Sequence, residues 1–167
     1  MTGQRDRNRL MRGLSRSHPA WWISCAGGIG LASKAPGTWG SLAALPPSYL
    51  IASLLSPEAA LVVSLGVAAI GYAAVKTYLQ RMGGAHDPQE VVIDEVAGQM
   101  LALSLLPPHL PAYAAGFAAF RLLDIWKPFP VGWIDRNVGG AAGVMLDDLA
   151  AGTIALAVVL LGLSVAG

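Results

Sequence analysis

The sequence is short of charge, cysteine and histidine, and each shortage removes a class of protein. Charged residues make up 13% of the 167 positions, against about 25% in a typical soluble domain. That deficit points to lipid as the solvent. The single cysteine, Cys25, excludes a disulfide framework within the chain. The three histidines and this cysteine form no transition-metal ligand cluster. Net charge is +1, which gives no argument for nucleic acid as a partner. No internal repeat and no low-complexity tract is present. The N-terminus lacks the apolar core of a signal peptide. Arg5, Arg7, Arg9, Arg12 and Arg16 form a basic run, followed by Pro19, two tryptophans and a glycine cluster. The run reads as a tail, residues 1–20, suited to the cytoplasmic side and anionic headgroups.

Several nucleophile chemistries are missing as well. Cys25 is not the start of a Cys-x5-Arg site, because Leu31 stands where the arginine belongs. No Asp-x-Asp pair opens a haloacid-dehalogenase-type site. His18, His86 and His109 lack the surroundings of histidine-nucleophile lipid phosphatases. His109 is expected to cap a loop, and His86, beside Asp87, is the one histidine placed near a site.

What the chain has is apolar length. Hydrophobic residues reach 54%. Ala35–Val75 carries Glu58 as its only charge, and Val96–Phe120 and Leu149–Gly167 carry none. Proline and glycine punctuate these blocks. They predict helices over Ser41–Ser56, Ala59–Tyr78, Glu95–Leu106, Ala112–Asp124 and Leu149–Val165. A spanning helix needs about 20 apolar residues. The second and last come close, the third is short, and Pro46-Pro47 interrupt the first. The expected fold is all-α: a multi-helical integral membrane bundle formed by one domain, residues 21–167. A soluble bundle with a very apolar core is the alternative.

Each apolar block before the last contains a hairpin. The chain therefore leaves one face and returns to it. Three polar stretches, Ser24–Ser41, Lys76–Glu95 and Arg121–Asp148, should lie on the side of the arginine tail, the cytoplasmic face. Eight of the ten acidic residues fall in the second and third stretches. Ionisable groups near a membrane are costly without partners, so their gathering is a functional signal.

The first stretch, Gly27 to Ser41, combines glycines with Lys34 and leads into a helix. Backbone N–H groups there can approach a phosphate, or the glycines can mark a tight re-entrant loop. It is not a P-loop, because Ser33 precedes Lys34 and Ala35 follows it. The second stretch offers Glu90, Asp94 and Glu95. Oxygen-rich sets of this kind suit Mg²⁺, while an acidic pair at a helix start also suits the helix dipole. In the third stretch Arg121, Asp124, Lys127, Asp135, Arg136, Asp147 and Asp148 interleave both signs. A metal-plus-phosphate site needs that mixture, and interfacial ion pairs would also use it.

Lys34-Ala35-Pro36-Gly37-Thr38-Trp39-Gly40-Ser41 is similar to the opening signature of the phosphatidylglycerophosphatase A family. His86-Asp87, Asp94-Glu95 and Gly98 resemble its second motif. Phe120-Arg121, Asp124, Lys127-Pro128, Pro130, Asp135-Arg136, Gly139-Gly140, Gly143, Met145 and Asp147-Asp148 resemble its longest motif. The likeness runs in order from about residue 27 to 152. It implies Mg²⁺-dependent hydrolysis of phosphatidylglycerophosphate to phosphatidylglycerol and phosphate at the bacterial inner membrane. Asp94, Glu95, Asp147 and Asp148 are then the expected metal ligands. Asp94, Glu95, Asp124 and Asp148 are the expected catalytic carboxylates. Lys34, Gly37, Thr38, Arg121, Lys127 and Arg136 are expected on the substrate. A carboxylate would orient or deprotonate the attacking water, or act as a nucleophile through a phosphoaspartyl intermediate. Two other functions compete: an ion or phosphate transporter, and a non-enzymatic membrane assembly factor.

Overall fold

A computed structural model describes residues 17–82 and 88–166. Among the described residues all regular structure is helical. The order is α1 (Pro19–Ser24), a 3-10 segment (Ala26–Leu31), α2 (Pro36–Leu54), α3 (Pro57–Arg81), α4 (Ile93–Leu103), α5 (Leu110–Trp126), α6 (Val131–Asn137) and α7 (Gly140–Ala166). The arginine run, His86 and Asp87 lie outside the described residues.

Local chemistry explains where the helices start. Proline stands in the first turn of α1, α2, α3 and α5, where its missing N–H costs nothing. The Ser56 hydroxyl accepts from the Ala59 amide at 3.1 Å. His18 Nδ1 accepts from Ala20 at 3.1 Å, and His109 Nδ1 from Ala112 at 3.3 Å. His109 is thus a cap, of helix α5.

Three boundaries depart from the sequence expectation. Helix α2 starts at Pro36 instead of Ser41, so Gly37 to Ser41 are helical and not loop. It also runs through Pro46 and Pro47. Each proline removes one backbone hydrogen bond, but a buried stripe at Gly37, Gly40, Ser41, Ala44, Ser48 and Ala52 holds the helix along its length. Helix α7 starts at Gly140 instead of Leu149, which puts Asp147 and Asp148 inside it and not at its head. The glycines of 139–143 read as loop. Gly143 is instead required by packing, because a Cβ there would lie 2.0 Å from the Val138 carbonyl oxygen. Helix α6 was not expected at all.

Two helices, Pro57–Arg81 and Gly140–Val165, are long and apolar enough to cross a membrane. Both helices carry large apolar residues on their exposed faces. On α3 the buried positions include Ala60, Ser64, Ala68 and Gly71, while Val62, Leu65 and Ile70 are more than half exposed. On α7 Ala151, Gly152 and Ala155 are buried, while Val158 and Leu161 are exposed. Outward-facing large apolar residues, with small ones among the buried positions, suit helices solvated by lipid, where close packing holds helices together.

Helix α4 is the hub. It packs against α2, α3, α5 and α7, and nearly every side chain on it is buried. Its 11 residues are too few to cross a bilayer at about 1.5 Å per residue. Its N-terminus carries Asp94 and Glu95 into the bundle.

Candidate active site

The site is built where α4 crosses α7. A Cβ on Gly152 would lie 2.3 Å from the Gly98 carbonyl oxygen, and one on Gly98 2.7 Å from the Asp148 carbonyl oxygen. The two backbones therefore touch, which only glycine permits. Asp94 lies one helical turn before Gly98, and Asp148 one turn before Gly152. The crossing thus places chain-distant carboxylates side by side. Ligand oxygens of Asp94, Glu95 and Asp148 all lie within 4.8 Å of one another. Asp94 and Asp148 are buried. Residues of the second and third polar stretches, as expected, meet here.

Negative charge is concentrated here. Glu95 and Asp148 make no ion pair with any described residue. Burial pushes the Glu95 carboxyl above the usual carboxylate range. Asp124 adds to the rise, and hydrogen bonding with Asp94 and the charge of Arg121 oppose it. Glu95 Oε2 is buried and accepts no hydrogen bond. A buried oxygen without a donor is costly, and a cation held between the three carboxylates removes that cost. The donor set is all oxygen, so the residues fit a hard metal ion. They open onto a cavity of about 630 Å³, whose wall also carries Lys76, Asp124, Lys127, Asp135, Arg136 and Asp147.

A family model described as Phosphatidylglycerophosphatase A matches residues 22–163, which contain every one of these groups. The chain belongs to the phosphatidylglycerophosphatase A family. It is 42% identical over 142 residues to the Phosphatidylglycerophosphatase A of Escherichia coli strain K12, covering 84% of this chain and 81% of that protein. It is 34% identical over 154 residues to the protein of the same name from Haemophilus influenzae, covering 91% and 93%. No solved structure matches it.

The other expected site residues of this phosphatidylglycerophosphatase A family member divide by position. Asp147, expected as a fourth metal ligand, stands apart from the trio. Its Oδ2 accepts from Lys127 Nζ at 2.8 Å, and Lys127 also donates to Asp135 Oδ1 at 2.5 Å. Lys127 is the left-handed C-cap of α5, with φ 45°. Burial lowers its pKa, but the hydrogen bonds to Asp135 and Asp147 outweigh this and hold it well above the usual lysine value. Lys127 is therefore a strut joining α5, α6 and α7 at the cavity wall. Arg121 is also engaged. It donates to Asp124 Oδ2 at 2.5 Å, to Thr38 Oγ1 at 3.2 Å and to Ser41 Oγ at 3.3 Å. It ties the first turn of α2 to α5, and Thr38 serves that tie.

Gly37 reaches the site differently from a phosphate loop. A Cβ there would lie 2.1 Å from Glu95 Oε1, so α2 presses its backbone against that carboxylate. Lys34 is exposed and is not on the cavity wall, whereas Arg136 is. Sequence reasoning missed Lys76. It shares a face of α3 with Leu79 and Gln80, and all three line the cavity. The available signal was that Lys76 is the first charge after the apolar run of α3. It also missed the short bond from Tyr78 Oη to Glu90 Oε1 at 2.5 Å, which anchors the segment leading into α4.

Proposed function

We propose that this chain is a metal-dependent lipid phosphatase that hydrolyses the terminal monoester of phosphatidylglycerophosphate, releasing phosphatidylglycerol and inorganic phosphate. The observation that carries the reading is the Asp94, Glu95 and Asp148 cluster, assembled from two distant segments inside a cavity that also bears cations. The family relatives' printed name supports the substrate. Nothing in the relatives favours the transporter alternative.

Asp94, Glu95 and Asp148 would hold the metal, and Mg²⁺ is the ion their oxygen-only set suits best. When bound, it supplies positive charge to the phosphoryl oxygens. Asp124 lies on the same wall outside the trio, and it orients or deprotonates the attacking water. The water oxygen bonds to phosphorus as the bond from phosphorus to the glycerol oxygen breaks. The proton lost by water ends on that leaving oxygen. Lys127 offsets part of the charge of Asp147 and Asp135, which lessens the repulsion of an anionic substrate. Arg121 and Thr38 position α2, and Gly37 leaves the room that Glu95 occupies.

The enzyme sits in the bacterial inner membrane as a multi-pass bundle, residues 21–167, behind a basic tail, residues 1–20. The exposed apolar faces of α3 and α7 support membrane placement. The polar end faces the cytoplasm by the positive-inside rule. Phosphate release by the purified protein, with chelator and then with added Mg²⁺, tests the function. Release should vanish with chelator and return with Mg²⁺. No release from phosphatidylglycerophosphate under either condition overturns it.

A further inference from the structure

The cavity wall carries six carboxyl groups, Asp94, Glu95, Asp124, Asp135, Asp147 and Asp148, and three cations, Lys76, Lys127 and Arg136. Their pairing is uneven. Lys127 takes Asp135 and Asp147, and Asp124 takes Arg121 from outside the wall. Lys76 and Arg136 pair with no described residue, although carboxylates outnumber cations on the wall they share. Both are exposed, so their charges are open to an anion that enters the cavity from solvent. Lys76 comes from the last turns of α3 and Arg136 from the last turn of α6, so two separate elements deliver charge to one space. Gln80 adds a neutral polar group one turn beyond Lys76.

The proposed substrate carries two phosphorus centres. One is the terminal monoester, which would lie at the carboxylate trio and any ion it holds. The other is the phosphodiester that joins the glycerol to the lipid, and it keeps its negative charge throughout the reaction. We propose that Lys76 and Arg136 form a second phosphate subsite, which holds this diester while the monoester lies at the carboxylate trio. The proposal rests on the lipid phosphatase reading and adds to it a basis for specificity. The diester's charge is the same before and during hydrolysis. Contacts to it are therefore uniform binding, which lowers KM and leaves kcat alone.

The test uses the full chain in mixed micelles, with phosphatidylglycerophosphate as substrate. Water-soluble glycerophosphoglycerol probes the diester subsite, and inorganic phosphate probes the monoester site. Glycerophosphoglycerol should inhibit the unaltered protein competitively. Lys76→Gln and Arg136→Gln should each raise KM and weaken that inhibition by about tenfold, the loss of one charge-assisted contact. Inhibition by inorganic phosphate should change far less, and Lys76→Arg should restore most of the loss. Arg81→Gln, on the same helix but off the cavity wall, should match the unaltered protein. The subsite is overturned if glycerophosphoglycerol fails to inhibit the unaltered protein, if inhibition by both probes weakens equally, or if Arg81→Gln behaves like Lys76→Gln. Absence of any turnover by the unaltered protein would instead sink the phosphatase reading itself.

Discussion

Asp148→Asn keeps the size of the side chain and removes its charge. Asp148 belongs to the trio and lies buried against α4, so turnover should fall by at least about a hundredfold, the scale of a lost metal contact. Asp94→Asn should behave alike, with residual turnover needing more Mg²⁺. Full activity of both variants at low Mg²⁺ would remove the metal assignment. Lys127→Ala acts through structure. It frees Asp135 and Asp147 together, so it should lower the thermal midpoint and turnover both. Loss of turnover with no change in midpoint would return Lys127 to direct phosphate binding. These residues were legible because carboxylates and cations are rare in this chain. Their partnerships were not legible. Arg121 and Thr38 are 83 positions apart, and no spacing rule foretells that they bond.

Among the elements, the two long apolar helices could be read from composition, and both are present. The start of α7 could not. A glycine-rich stretch favours loop by propensity, and packing overrides it here because Gly143 fits beneath the Val138 carbonyl. The same override turned the Gly37–Ser41 motif from loop into helix. It also changes what Gly37→Val should do. The new side chain must displace Glu95, whose Oε1 lies 2.1 Å from where its Cβ would stand. Turnover should drop by an order of magnitude or more while the helical circular dichroism signal stays. Wild-type turnover would show that Glu95 is not needed where it stands. Helix α6 has seven residues, under two full turns of repeat, so no periodic signal announced it.

For the whole molecule, residues of all three polar stretches come into contact. Thr38 bonds Arg121, Gly37 abuts Glu95, and α3, α4, α5, α6 and α7 share the cavity wall. Cys25 is buried, so an added exposed cysteine can be labelled selectively. Cysteines at Lys76 and at Arg136 should both react with an impermeant reagent only from the cytoplasm, and one placed at Pro108 only from the opposite side. Labelling of Lys76 and Arg136 positions from different sides would break the common cavity.

The glycine crossing of α4 and α7 has a cost that its role in assembly hides. Backbone contact fixes how near Asp94, Glu95 and Asp148 must stand, so without a cation the carboxylates repel one another and cannot retreat. An ion held among these carboxylates would act as a clasp. Added Mg²⁺ should raise the thermal midpoint, by about 2.7 kcal/mol in stability at a hundred times its dissociation constant. Asp148→Asn should show the reverse bargain. Measured in chelator it should melt later than the unaltered chain, and it should gain little from Mg²⁺. An earlier melt in chelator would mean that the three charges are not in tension. In this protein the strongest folded state and the working one should then be different molecules, separated by a single atom exchanged at residue 148.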